Sequence, residues 1–149
     1  MAKTVRLKGM KTVMSNLDKA IKDIEGKTLA GLIEAAIFIR RDMETTSPTI
    51  PVDLGNLRAS FFIVSSKGTA VSPDAQEFGQ SAVQEATSLV AMKKNPMVIL
   101  GFGANYAIFV HENVDMVFKR PGSGAKFFES ALKRNQEDIL KIIAKRAKI

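Results

Sequence analysis

"TTSPTIPVDLGNLRASFFIVSS", residues 45–66, is where the patterning of the chain changes, and the change decides the fold class. Before it, apolar residues recur three and four apart: Met10, Val13, Met14, Leu17, Ala20, Ile21 and Ile24, then, after Gly26, Leu29, Leu32, Ile33, Ala36, Ile37 and Met43. This spacing predicts an amphipathic helix pair, or one long helix bent near Gly26. Thr45, Thr46, Ser47, Pro48 and Pro51 cannot sustain it. Beyond them Leu57, Ala59, Phe61 and Ile63 alternate with Arg58, Ser60, Phe62 and Val64, which predicts a strand over 56–66. Its middle is apolar on both faces, so it is expected to be covered on two sides or to join a subunit contact.

Between helix and strand lies a corner. Pro51 fixes φ, Asp53 can accept backbone N–H bonds, and Gly55 can take the positive φ of a chain reversal. Leu57 then enters the core and Arg58 leaves it, free for a partner or for an intramolecular carboxylate.

Toward the C-terminus, Ser72, Pro73 and Asp74 read as a helix start. Ala75, Phe78, Ala82, Ala86, Leu89 and Val90 mark one face, and Lys93, Lys94 and Pro96 mark the end. The face is Ala-rich, and Gly79 and Ser81 weaken it, so a partly disordered loop is the alternative. Met97–Phe102 is expected to be a strand, Gly103-Ala104-Asn105 a turn, and Tyr106–Val110 a strand or short helix. A loop containing Pro121, Gly122 and Gly124 follows, with Ser123 as the expected N-cap of a final helix. That helix carries Phe128, Ala131, Leu132, Ile139, Ile142 and Ile143 on its core face, with Phe127 one step round. The fold class is α+β: a single domain, 1–149, with a long N-terminal helix or helix pair and a C-terminal helix packed on a small antiparallel or mixed β-sheet. A variable loop or helical insertion occupies about 67–96.

At 149 residues and 46% hydrophobic content the chain can bury a core. It has no cysteine, which excludes disulfides, thiolate metal sites and thiol nucleophiles. The N-terminus is basic without the apolar segment of a secretory signal, and no apolar run is long enough for a membrane helix, so cytoplasmic synthesis and no membrane partner are expected. A formal net charge of +7 favours phosphate backbones or acidic proteins as partners. It gathers at the ends: Lys3, Arg6, Lys8 and Lys11, then Lys133, Arg134, Lys141, Lys145, Arg146 and Lys148. These are solvated helix faces or contacts for DNA or an acidic partner.

Catalytic signatures are thin. His111 is the only histidine. If 106–110 continued as a strand, Glu112 would point to the opposite face, so a structural or interface hydrogen bond is the expected role of His111. "GFGANY" lacks the third glycine and distal carboxylate of a dinucleotide loop, and no Walker motif or nucleophile elbow occurs. In "VFKRPGSGAKFF" Phe118, Lys119, Arg120, Lys126, Phe127 and Phe128 approach an aromatic–basic nucleic-acid surface, but the pattern fits core plus loop. No enzyme, cofactor or metal site is expected.

Three stretches taken in order, "SPTIPVDLGNLRAS", "YAIFVHEN" and "GSGAKFFESAL", resemble the tail-completion or neck proteins of tailed bacteriophages, a family also described as minor tail or minor capsid components. The resemblance covers roughly residues 5–149. Leu54 stands where the family usually has Thr, and Phe128 where it usually has Leu. The resemblance implies a structural virion subunit at the head–tail joint, with no catalytic residue. It implies a homo-oligomeric ring around the DNA channel that contacts other neck, connector and tail proteins. Tyr106, Ala107, His111, Glu112, Lys126, Phe127 and Phe128 are then motif residues and interface candidates, and the basic C-terminal residues are candidates to face DNA. The rival expectation is a basic DNA-binding protein outside the virion; a hydrolase built on His111 and Glu112 is a third.

Overall fold

The computed structural model describes residues 9–52, 56–71 and 80–148. Its elements are α1 (Met10–Thr45), a single helical turn α2 (Asn56–Ala59), β1 (Phe61–Ser65), β2 (Gly68–Val71), α3 (Gln80–Met92), β3 (Val98–Phe102), α4 (Ala107–Glu112), α5 (Phe127–Arg134) and α6 (Gln136–Ala147). The α+β class holds.

The N-terminal apolar repeat forms one uninterrupted helix of 36 residues, about 54 Å long, and Gly26 does not break it. At its end the chain folds back: the Ile50 N–H donates to the Met43 carbonyl at 2.9 Å, and Met43, Ile50 and Pro51 are buried.

The strand begins later than its alternation suggests. Residues 56–59 close a helical turn instead, because the Ser60 N–H donates to the carbonyls of Asn56 and Leu57, and the buried Ser60 hydroxyl also donates to Leu57. Local bonding of this kind competes with a ladder. β1 is the central strand of an antiparallel sheet of order β2-β1-β3. It is covered on both sides within one chain. Phe61, Leu100 and Phe102 pack with Ile39, Met43, Leu57 and Phe127, whereas Phe62, Val64 and Ile99 pack with Ala86 and Val90 of α3. The Phe62 ring lies over Gly101, where an added Cβ would sit 3.2 Å from it.

α3 spans Gln80–Met92 and buries Ala86 and Val90, but Leu89 is exposed, so its apolar face is narrower than expected. Ser72, Pro73, Asp74, Ala75, Phe78 and Gly79, the expected helix start, lie outside the described residues. Residues 107–112 are helical, which settles the strand-or-helix alternative.

The final helix is two helices turning at Asn135. The side-chain amide of this buried residue donates to the Ala131 carbonyl, and its own carbonyl accepts from Ile139 N–H. Ser123 does not cap α5. Its hydroxyl donates to Arg120, and the helix starts four residues later with Lys126 in the left-handed region at φ 59°. The aromatic pair is the reverse of the expected one: Phe127, four before the buried Ala131, is the core residue, while Phe128 is half-buried and Leu132 exposed. α6 lies along α1, its most extensive partner, and Gly31 is the point of closest approach: a Cβ there would lie 3.0 Å from the Ile143 Cα.

Candidate functional site

The three stretches that carry the resemblance meet in space. Just before the corner, the Thr49 N–H donates to Gly122 O at 2.9 Å, and Gly124 N–H returns to Thr49 O at 3.3 Å. Arg134 of α5 crosses to the same corner, its Nε 2.7 Å from Asp42 Oδ2 and its terminal nitrogens reaching the Thr46 and Ser47 carbonyls. These carbonyls follow the C-terminus of α1, where a cation is favourable. Arg134, a candidate for DNA, is therefore engaged inside the fold.

Arg58 takes the intramolecular option. Its Nε donates to Glu44 Oε1 at 2.8 Å, and Glu44 also pairs with Arg40, with an Arg120 nitrogen 3.8 Å away. Burial holds the Arg40 guanidinium below its ordinary range, opposed by Glu44, and the group lies 4.9 Å from the Phe61 ring centroid. Leu57 is in the core as expected. Asp53 and Gly55 lie outside the described residues.

His111 joins the other two stretches. Its carbonyl accepts the Lys126 N–H at 2.7 Å, and its Nε2 accepts the Glu129 N–H at 3.3 Å. Glu129 is the third residue of α5, and no side chain from the helix's own N-cap position serves it, so the histidine performs the capping that Ser123 does not. Because Nε2 accepts, Nδ1 carries the proton and donates to Glu112 Oε1 at 2.7 Å. Contact between these neighbours contradicts the opposite-face expectation, which assumed a strand; at the end of a helix both side chains can reach the same partner. Lys126 bonds Glu112 and lies 3.4 Å from Glu129, which Lys133 holds at 2.6 Å. Hydrogen bonds from Lys126 and then His111 keep Glu112 below the usual carboxylate range, Lys133 and then Lys126 do the same for Glu129, and Glu112 raises Lys126.

This is the chemistry of a joint. The side chains of His111, Glu112, Lys126, Glu129 and Arg134 all have internal partners, whereas the buried Thr49 hydroxyl has none among the described residues, and Phe127 packs edge-on to the imidazole with ring centroids 5.1 Å apart. Among the described residues no group of three or more His, Cys, Asp or Glu could hold a metal, and no helix is long and apolar enough to cross a membrane. Ala107 supports the core, while Tyr106 is 41% exposed.

The basic C-terminal residues divide. Lys133, Arg134 and Arg146 form ion pairs, the last with Glu34, whereas Lys141, Lys145 and Lys148 are exposed with no ion-pair partner among the described residues. Another basic group escapes sequence reading because its members are far apart in the chain. Lys22, Lys67, Lys93 and Lys94, with Glu25, line a cavity of about 240 Å³ where α1, the β1–β2 turn and the end of α3 converge. The apolar stripe of Met10, Val13, Met14, Leu17 and Ile21 was visible in sequence as the spacing of an amphipathic helix, and all five are 45–62% exposed.

Comparison with known proteins adds no relative: no protein-family model matches the chain, and neither a curated protein nor a solved structure matches it significantly.

Proposed function

We propose that this chain is a structural subunit of a tailed-bacteriophage virion, acting without turnover in the neck as a tail-completion or joining protein, in a ring around the DNA channel. It would be made in the host cytoplasm and end in the particle, bound to other neck, connector and tail proteins. The observation that carries this reading is the N-terminal half of α1, which leaves the body of the molecule with a row of large apolar side chains in solvent. Such a surface belongs to an assembly. The three motif stretches support the reading in a second way: they are used to join elements to one another, which is what a structural family requires of them.

The test is copy number. Purified phage particles should contain the polypeptide at a fixed number per virion; its absence from particles would remove the proposal. The lysine cluster favours one alternative, a basic DNA-binding protein outside the virion. If those four lysines neutralise phosphates, the logarithm of DNA affinity should fall against the logarithm of salt with a slope of about −3 to −4. Lys67→Ala with Lys93→Ala should flatten it by about 2. A chain that binds DNA this way and is missing from particles would establish the alternative.

A further inference from the structure

Among the described residues two apolar surfaces stand open to solvent, and they differ in shape. One is convex: the stripe Met10, Val13, Met14, Leu17 and Ile21 on the projecting half of α1. The other is hollow: an open cavity of about 220 Å³ lined by Phe102, Ala107, Ile108, His111, Phe127 and Phe128. On α4 and the segment just after it, Ile108 is 79% and Val117 94% exposed, with Phe109 and Val114 also open to solvent.

The stripe cannot fill the cavity of its own chain. Phe127 and Ala107 at the cavity pack with Ile39 and Met43, at the far end of α1. Leu17 is 22 residues before Ile39 on the same unbroken helix, about 33 Å away. A rigid helix holds the two surfaces apart. We propose that the stripe of one copy docks, helix in groove, on the Ile108–Phe128 cavity of a second copy, so that copies join head to tail.

Charge and area both favour this occupant. Residues 10–25 carry Lys11, Lys19 and Lys22 against Asp18, Asp23 and Glu25, a net of zero in a chain of net +7. A segment with no net charge has no electrostatic reason of its own to seek a polyanion, so its contact has to be apolar. The five stripe residues and the four around α4 expose on the order of 1,000 Å² together, the threshold size of a specific contact. Methionines at the stripe's start suit a cavity whose shape is irregular. Because each copy contributes a different surface, the contact is heterologous and must close into a ring or run on as a fibre. The inference thus deepens the ring reading by naming its surfaces, and it depends on that reading only for closure.

The test uses two full-length variants at exposed positions, Leu17→Glu and Ile108→Glu, with circular dichroism to establish that both remain folded. Wild type should assemble with rising concentration in light scattering, and each variant alone should be monomeric. An equimolar mixture should form a one-to-one dimer, because it still contains one intact stripe and one intact cavity. If instead the stripe pairs with itself, Ile108→Glu will assemble like wild type and mixing will restore nothing, which overturns the proposal. Assembly of both variants as wild type would also overturn it while leaving a ring built on other surfaces. A wild type that stays monomeric at its highest soluble concentration would overturn it too, and particle copy number would then decide the ring reading separately.

Discussion

Residues 10–24 and 29–43 of α1 follow one plan, an apolar side chain every three or four positions, yet their environments differ, with Ile37 at 58% exposure the exception in the second half. In the C-terminal half Leu29, Gly31, Ala35, Ala36, Ile39 and Met43 are buried. In the N-terminal half the residues from Met10 to Asp23 are exposed. The composition of the two faces differs in one respect that matters for packing. The covered half includes Gly31, where the backbone of α6 comes within van der Waals distance, whereas the open half, apart from Ala20, is built of Met, Val, Leu and Ile. Periodicity sets which side of a helix seeks cover. Small residues set how closely a second helix of the same chain can provide it.

The largest contrast should come from truncation in each half. Met43 is fully buried in the core that includes Phe127 and Ile50, so Met43→Ala should cost about 2–5 kcal/mol in urea unfolding. Leu17→Ala, measured where the chain is monomeric, should change stability by no more than about 0.5 kcal/mol. Comparable losses at both positions would mean that the projecting half is covered within one chain, and the comparison would fail.

The two glycines of α1 sharpen it further. At Gly31 an added methyl meets the Ile143 backbone, so Gly31→Ala should cost about 1–3 kcal/mol despite its better helix propensity. At Gly26 the same methyl meets nothing within 4 Å, and Gly26→Ala should stabilise by about 0.5–1 kcal/mol. Thermal melts of the pair should therefore move in opposite directions. A loss at Gly26 would indicate that the helix needs a bend there.

A smaller effect is expected where α4 meets α5. His111→Ala removes the acceptor for the Glu129 N–H and should cost about 1 kcal/mol, the usual worth of a cap. An unchanged melting temperature would show that water serves the amide equally well.

The fold class, the long helix, the two-sided central strand and the entry of Leu57 into the core were legible because each follows from periodicity. The errors share a cause. The helical turn at 56–59, the start of α5 at Phe127 and the break at Asn135 are each fixed by a hydrogen bond that periodicity does not encode: Ser60 to Leu57, Lys126 to His111, and Asn135 to Ala131. In α5 the buried pair is Phe127 and Ala131, four apart, so the core face lies one position round from the expected one. At the candidate site His111 stood out by being single, and its structural role was expected, but its reach to Glu129 depends on a contact 18 residues away. Arg134 read as a free cation because its partner Asp42 is 92 residues distant. The lysine cluster was illegible for the same reason, since α1, a hairpin turn and the end of α3 supply it from separate parts of the chain.

The weakest effect is electrostatic and lies at the same α4–α5 joint. Glu112 and Glu129 are held below their ordinary pKa of 4.5, so each contributes stability that is present above the unfolded value and is lost as the pH falls through the lower folded one. Lys126 is raised above 10.5, so its share is present below that value and lost as the pH rises through the folded one. The carboxylates are open to solvent, and screening keeps the effect small. Lys126→Met removes the ammonium while keeping a side chain of similar length, and it should flatten the decline of melting temperature below about pH 4.5. High salt should reproduce much of that flattening in the wild type. Lys126→Gly separates the backbone from the charge, because it loses the same ion pairs but relieves the left-handed conformation. If Lys126→Gly melts above Lys126→Met at pH 7 while both show the same flattened acid limb, the lysine is retained for its contact with Glu112 at the expense of backbone comfort. Equal melting temperatures would mean that the left-handed turn costs nothing here.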